Sequence, residues 1–261
     1  MNKAFKTIGK IALILFILGV GLMGIAVVLG VQNRSFTNNR FFKFIINSKV
    51  EKLEYTVVDD FDSIDLEVDA ADVVIKEGEE FAIEYTLYEG ATFEVKNNTL
   101  YINKYEGEYI NIGINLETKD TYLTIYIPKD KDINIKKMDV DMGDIEIKND
   151  SGWRLNNINI DADMGDIEIE GKVEGKIDIE ADMGDVDIKG YLQCDISVGA
   201  DMGDVDICTY YNEEYYNYEI DVDMGEKNIE KNGGEMLEGD YRFDIEVECD
   251  MGDVNLTFED K

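Results

Sequence analysis

Six times in its second half the chain writes nearly the same string, Asp-Met-Gly-Asp-(Ile/Val)-(Glu/Asp)-Ile, in copies that begin at Asp141, Asp163, Asp182, Asp201, Asp223 and Asp250. The last two diverge, to Gly225-Glu226-Lys227-Asn228-Ile229 and Gly252-Asp253-Val254-Asn255-Leu256. Successive starts lie 22, 19, 19, 22 and 27 residues apart. A period of about 20 marks a stacked repeat protein, in which no unit buries its own apolar face and each relies on its neighbours. An enzyme needs one distinctive place, and this chain repeats itself.

Within the copy around Asp163, the residues Ile158, Ile160, Ala162 and Met164 alternate with Asn159, Asp161 and Asp163, the period of a half-buried strand. The phase slips at Gly165-Asp166, and Ile167 and Ile169 resume the inward set. Glycine accepts backbone angles that a side chain forbids, and the Asp that follows is suited to holding a bend through a backbone N–H. Each repeat therefore reads as strand, corner, strand and a looser turn such as Glu170-Gly171 or Lys189-Gly190. The alternation also points Met142, Met164, Met183, Met202, Met224 and Met251 inward, as adaptable filler of a narrow core. On that ground a copper-binding reading of the thioethers is set aside.

A decayed copy precedes these: Val68-Asp69-Ala70-Ala71-Asp72-Val73-Val74-Ile75 aligns position for position with Ala162 to Ile169. Between them, Phe93 and Val95 are expected to pair with Leu100 and Ile102 across Asn97-Asn98, and Leu123, Ile125 and Ile127 alternate before Pro128. The expectation is an all-β solenoid of stacked 19–22-residue repeats over 50–261, less regular over 50–130 and regular over 131–261. Nothing obvious caps Phe258, which leaves end-to-end self-association open.

Ahead of the array, Ile11 to Val31 is uncharged and long enough to cross a bilayer as a helix. A cleaved signal peptide is the rival, with Gly24-Ile25-Ala26 as a weak cleavage site, but the apolar run continues past it. The expected organisation is a cytoplasmic tail (1–10), a transmembrane helix (11–31), a juxtamembrane segment (32–49) and an extracytoplasmic array, anchored in the cell membrane by a single pass. Phe36, Phe41, Phe42, Phe44, Ile45 and Ile46 among Arg34, Arg40, Lys43 and Lys49 suit either the lipid headgroup layer or a covered first edge of the solenoid.

The chain carries 25 Lys and Arg against 58 Asp and Glu, a formal charge of −33; the first 31 residues hold three lysines and no acid, which leaves −36 for the rest. No phosphate backbone binds such a surface, so nucleic acid is not an expected partner. With no histidine in the chain, Ser-His and Cys-His nucleophile systems and His-ligated zinc are absent, and a non-enzymatic protein is expected. Only a carboxylate-only glycosidase remains formally open. Of three cysteines, Cys249 takes a core position, Cys208 should face outward, and a Cys194–Cys208 bridge is one alternative.

Stacking aligns Asp141, Asp163, Asp182, Asp201, Asp223 and Asp250 in one column and Asp144, Asp166, Asp185, Asp204, Glu226 and Asp253 in a second. Rung spacing is about 4.8 Å. At that distance two like charges repel by roughly 0.9 kcal/mol in water and about 3.5 kcal/mol at an effective dielectric of 20. Two readings stay open: Ca²⁺ held by oxygens of successive rungs, or turn-capping carboxylates that face water. No other cofactor is implied. Tyr210, Tyr211, Tyr215, Tyr216 and Tyr218 cluster in the link between the fourth and fifth copies, either as a projecting contact surface for a partner or glycan or as a lid over neighbouring strands.

Phe61-Asp62-Ser63-Ile64-Asp65-Leu66-Glu67-Val68, the strand Asn98-Thr99-Leu100-Tyr101-Ile102, Leu123-Thr124-Ile125-Tyr126-Ile127-Pro128-Lys129 and the Gly-Asp-Ile-Glu-Ile coils together resemble a bacterial family of unknown function, candidate adhesins with β-strand repeats. The resemblance covers roughly residues 55–258. It implies a right-handed β-solenoid shown at the cell envelope, often on an N-terminal membrane helix, with no catalytic residues. It also implies a role as adhesin-like scaffold or, alternatively, in sensing envelope stress or antimicrobial peptides. Partners implied are the bilayer, an envelope membrane protein, cell-wall glycan or a cationic peptide. The uniform Asp-Met before Gly-Asp departs from the small polar residues more usual in that family, which makes the aspartate column a feature of this chain.

Overall fold

The structure, a computed structural model, describes residues 50–88, 91–103, 121–149, 153–237, 239 and 242–260. These belong to one compact unit comprising 49–106 and 119–261. The expected transmembrane helix 11–31, its tail 1–10 and the segment 32–49 lie outside the described residues; among the described residues no helix is long and apolar enough to cross a membrane.

The first strands are β1 (Val50–Val57), β2 (Ser63–Val68), β3 (Asp72–Gly78), β4 (Ala82–Tyr88), β5 (Thr92–Lys96), β6 (Thr99–Asn103) and β7 (Tyr122–Pro128). The regular part holds β8 (Asp132–Val140), β9 (Ile145–Lys148), β10 (Arg154–Met164), β11 (Ile167–Met183), β12 (Val186–Met202) and β13 (Val205–Thr209). After a short 3-10 turn at Glu213–Tyr215 come β14 (Tyr216–Met224), β15 (Lys227–Lys231), β16 (Phe243–Met251) and β17 (Val254–Phe258). All pair into a single curled 17-stranded sheet, a solenoid-like arrangement.

Two columns of parallel strands meet at the Met-Gly corner. One stacks β6, β2, β8, β10, the second half of β11, the second half of β12, β16 and β14. The other stacks β7, β3, β9, the first half of β11, the first half of β12, β13, β17 and β15. Alternation along each strand sends one face inward. In the rung centred on β11, Val173, Ile177, Ile179 and Ala181 are buried, followed by Val186 and Ile188 after the corner. Full burial of a Val or Ile is worth roughly 1.5–3 kcal/mol, so the side chains a rung sandwiches against its neighbours dominate its stability. Cys249 sits in this core at 1% exposure, and all three cysteines are free, so no Cys194–Cys208 bridge forms.

The expected hairpin is present: Phe93 faces Ile102 and Val95 faces Leu100. Asn97 and Asn98 take φ of 50° and 60°, the left-handed angles that a two-residue hairpin turn requires and that Asn tolerates. The looser turns are tighter than expected. Strands β11 and β12 each run unbroken for 17 residues through Gly171 and Gly190, which bend at φ 143° and 147°.

Two expectations are corrected. Phe258 is not an uncapped end, because the rungs do not stack in chain order at either end. The β16–β17 rung inserts between β12–β13 and β14–β15, so Phe258 is fully buried and β14–β15 forms the end of the stack. Likewise β2–β3 lies between β6–β7 and β8–β9. The methionines do not point inward either: Met142, Met164, Met183, Met202 and Met251 are 39–41% exposed and Met224 is 62% exposed. Parity holds only inside a strand. Ala162 is the last inward residue before the corner and Ile167 the first after it, so Asp163 and Met164 both fall on the outside of the bend.

Candidate functional site

The corner is a repeated hydrogen-bonded device. The Gly165 N–H donates to the Met183 carbonyl at 2.9 Å, and the Ile167 N–H to the Asp185 carbonyl at 2.8 Å. Between them the bend breaks the backbone ladder, and a carboxylate takes the missing place: the Asp185 N–H donates to Asp166 Oδ1 at 2.9 Å. The same bond recurs from Asp144 to Asp72, Asp166 to Asp144, Asp204 to Asp185, Asp253 to Asp204 and Glu226 to Asp253, at 2.8–3.1 Å. Glu226, the one Glu in this column, occupies the last rung, where no further N–H awaits its side chain. Backbones pass so closely here that a Cβ on Gly184, at φ 143°, would stand 2.0 Å from the Gly165 carbonyl oxygen.

The second column, including the expected ligands Asp144, Asp166, Asp185 and Asp204, thus has a structural task in which one carboxylate oxygen meets a backbone N–H. The first column, Asp163, Asp182, Asp201, Asp223 and Asp250 with the half-exposed Asp141, lines the outer edge of the adjoining strands. Among the described residues, no group of three or more Asp, Glu or Cys side chains converges as a metal site.

Beside the first column lies a broader array that the motif alone does not announce. Register places Asp139, Asp161, Glu180, Gly199, Glu248 and Asp221 in one outward row. Asn159, Asp178, Ser197, Glu246 and Glu219 form the next. With the first aspartate column these rows make a carboxylate lattice. Burial pushes the Asp161 carboxyl above its ordinary value, and the neighbours Asp139, Asp163 and Asp182 push it further. Burial and then Asp178, Asp161, Glu248 and Asp201 do the same to Glu180. Gly199 interrupts the row where Glu180 leans across it: a Cβ there would meet Glu180 Oε2 at 2.4 Å. At the β8 end of the lattice Lys137 is held between Glu67 and Asp139, and these hydrogen bonds raise its ammonium pKa.

On the other column, Glu146, Glu168, Asp187 and Asp206 are in register. Burial, then Asp206 and Glu168, raise Asp187. Cys208 lies 3.2 Å from Glu259, and burial with that hydrogen bond pushes its thiol up to about 12, so it is a thiol and not a thiolate at neutral pH.

The tyrosine link is a lid. Tyr210, Tyr211, Tyr215 and Tyr216 are buried and Tyr218 is half-buried, so only a minor part of the expected contact surface reaches solvent. Tyr216 packs on Phe243 and Phe258 and shares a 3.0 Å hydrogen bond with Thr209, while Tyr210 and Tyr211 stand edge-on to Tyr191. The link spans the rung position that β16–β17 fills, and its aromatics cover the step.

Several solved structures are similar to this chain. A candidate adhesin from Bacteroides fragilis is 15% identical, with 80% of this chain and 97% of that one covered at a TM-score of 0.43. A candidate cell adhesion protein from Clostridium sporogenes is 15% identical, with 82% and 99% covered at 0.41. A candidate lipid-binding protein from Parabacteroides distasonis is 15% identical, with 80% and 98% covered at 0.32. No curated protein matches the chain. The family described as Toastrack DUF4097 matches residues 61–261, and the chain belongs to it.

Proposed function

We propose that this chain is a non-enzymatic envelope protein that holds an acidic, right-handed β-solenoid outside the cell membrane on the helix 11–31 and acts as an adhesin-like scaffold or binding module. The observation that carries this reading is the carboxylate lattice around Asp161 and Glu180, an outward acidic field with Lys137 and Lys176 paired at its margins to Asp139 and Asp178. Such a field selects partners of opposite charge and speeds their encounter. The uncharged run 11–31 supports anchorage.

The partner chemistry that fits is cationic. A sensing role, in which a cationic peptide or a basic face of a membrane protein docks on the lattice, is favoured by the raised carboxyls, since a bound cation relieves the repulsion that adds to burial in raising them. The test uses the full chain in detergent micelles, with oligolysine and cell-wall glycan as separate probes. Oligolysine binding should weaken several-fold in Asp161→Asn/Glu180→Gln/Glu248→Gln and fall steeply with salt. Binding that ignores both the substitutions and the salt contradicts the reading, and glycan binding with the same indifference returns the search to the tyrosine link.

A further inference from the structure

The outward methionines are a surface that neither the corner's hydrogen bonds nor the acidic lattice uses. Along the stack they run Met142, Met164, Met183, Met202, Met251 and Met224. Met164 is in register with Met183, Met183 with Met202, Met202 with Met251 and Met251 with Met224. Their exposures are near-equal, at 39–41%, along most of the stack and rise to 62% at Met224 on the terminal rung. A lone surface methionine, Met236, is 64% exposed.

We infer that this column is a binding ladder for a soft monovalent d¹⁰ cation, Cu(I) or its analogue Ag(I). Thioether sulfur is a soft donor that selects Cu(I) over the hard cations preferred by carboxylates. Adjacent rungs lie about 4.8 Å apart. Two metal–sulfur bonds of roughly 2.3 Å, the length seen for zinc–thiolate, placed end to end span nearly the same distance. An ion bridging neighbouring methionines therefore needs little movement of either strand. Thioether is neutral and cannot offset a cation's charge, but each Met is preceded by a first-column Asp and followed two residues later by a second-column carboxylate. The ion would sit between two anionic columns. Other soft or borderline donors are scarce: the chain has no histidine, Cys194 and Cys249 are buried, and Cys208 holds its proton.

The test labels the methionine methyls of the full chain with ¹³C in detergent micelles and titrates Ag(I), then Cu(I) without oxygen, with resonances assigned through single Met→Leu variants. The methyls of Met164, Met183, Met202 and Met251 should shift together, while Met236 on its loop and the buried Met138 stay in place. Competition with a chromophoric Cu(I) chelator should show affinity falling at least tenfold in Met183→Leu/Met202→Leu/Met251→Leu, and only a few-fold in Asp182→Asn/Asp201→Asn/Asp250→Asn. Ca²⁺ should leave the methyls unmoved. The inference is overturned if Met236 shifts as strongly as the column, if no column methyl shifts, or if the triple Leu variant holds Cu(I) as tightly as the parent.

Discussion

Asp185 and Gly184 illustrate how the motif works one residue at a time. Gly184 is held at φ 143° with the Gly165 carbonyl 2.0 Å from where a Cβ would be. Gly184→Ala should cost on the order of 2–3 kcal/mol in denaturant unfolding, through strain and a backbone clash that no side chain can absorb. Asp185 accepts from the Asp204 N–H at 2.8 Å. Asp185→Ala should cost about 1 kcal/mol, because the N–H is near enough to water to find another partner. Asp185→Asn keeps an acceptor oxygen and removes a charge, and should be close to neutral in the same measurement. The glycine was readable from the string, since the bend needs it; that the Asp accepts from the next rung and not within its own turn was not. Neither was the methionine. Its side depends on where the alternation stops, and a period-two pattern carries no information at a corner where the chain leaves the strand.

At the scale of elements, near-identical rungs are interchangeable, and this hides the order in which they stack. Corner chemistry alone would let β14–β15 dock on β12–β13 as β16–β17 does, but β15 carries Lys227 and Lys231 in register with Val254 and Phe258 of β17, so its apolar pattern is broken and suits the end of the stack. Spacing adds a second signal only at the sixth copy, 27 residues after the fifth, since the 22-residue step from Asp141 to Asp163 joins rungs that stack directly. A long link can step over a rung and return. Local elements were legible, as the Asn97-Asn98 hairpin shows, because their pairing needs no knowledge of distant chain. The inserted order has a testable consequence. In a chain truncated after Arg242, β14–β15 loses the neighbour on which both its strands pair. Amides over 216–231 should then lose their hydrogen-exchange protection along with the deleted rung, while those over 167–200 keep theirs. Retained protection over 216–231 would place β14–β15 directly on β12–β13.

For the whole molecule, charge governs. The formal charge of −33 was plain in composition, but its organisation into a lattice required register, which fixes which outward residues become neighbours. Asp161, Glu180 and Asp187 have raised carboxyls, so the folded chain binds protons more tightly than the unfolded one. Stability from these groups therefore falls as pH rises through their raised values. The penalty is relieved as pH drops through those values and is gone below the ordinary carboxylate range. Acidifying from neutrality to about pH 5 should raise the melting temperature, and Glu180→Gln should flatten that dependence. Added salt at neutral pH should act in the same direction by screening the lattice. The corner carboxylates accept backbone N–H groups of the next rung, and on that ground no metal is expected to stiffen them. Thermal unfolding of the full chain in micelles, after EDTA, compares about 2 mM Ca²⁺ with Na⁺ at matched ionic strength, a level at which extracellular calcium modules are filled. Equal melting temperatures in the two cations are predicted; a calcium-specific rise of many degrees would contradict the claim and make the aspartate columns a metal site.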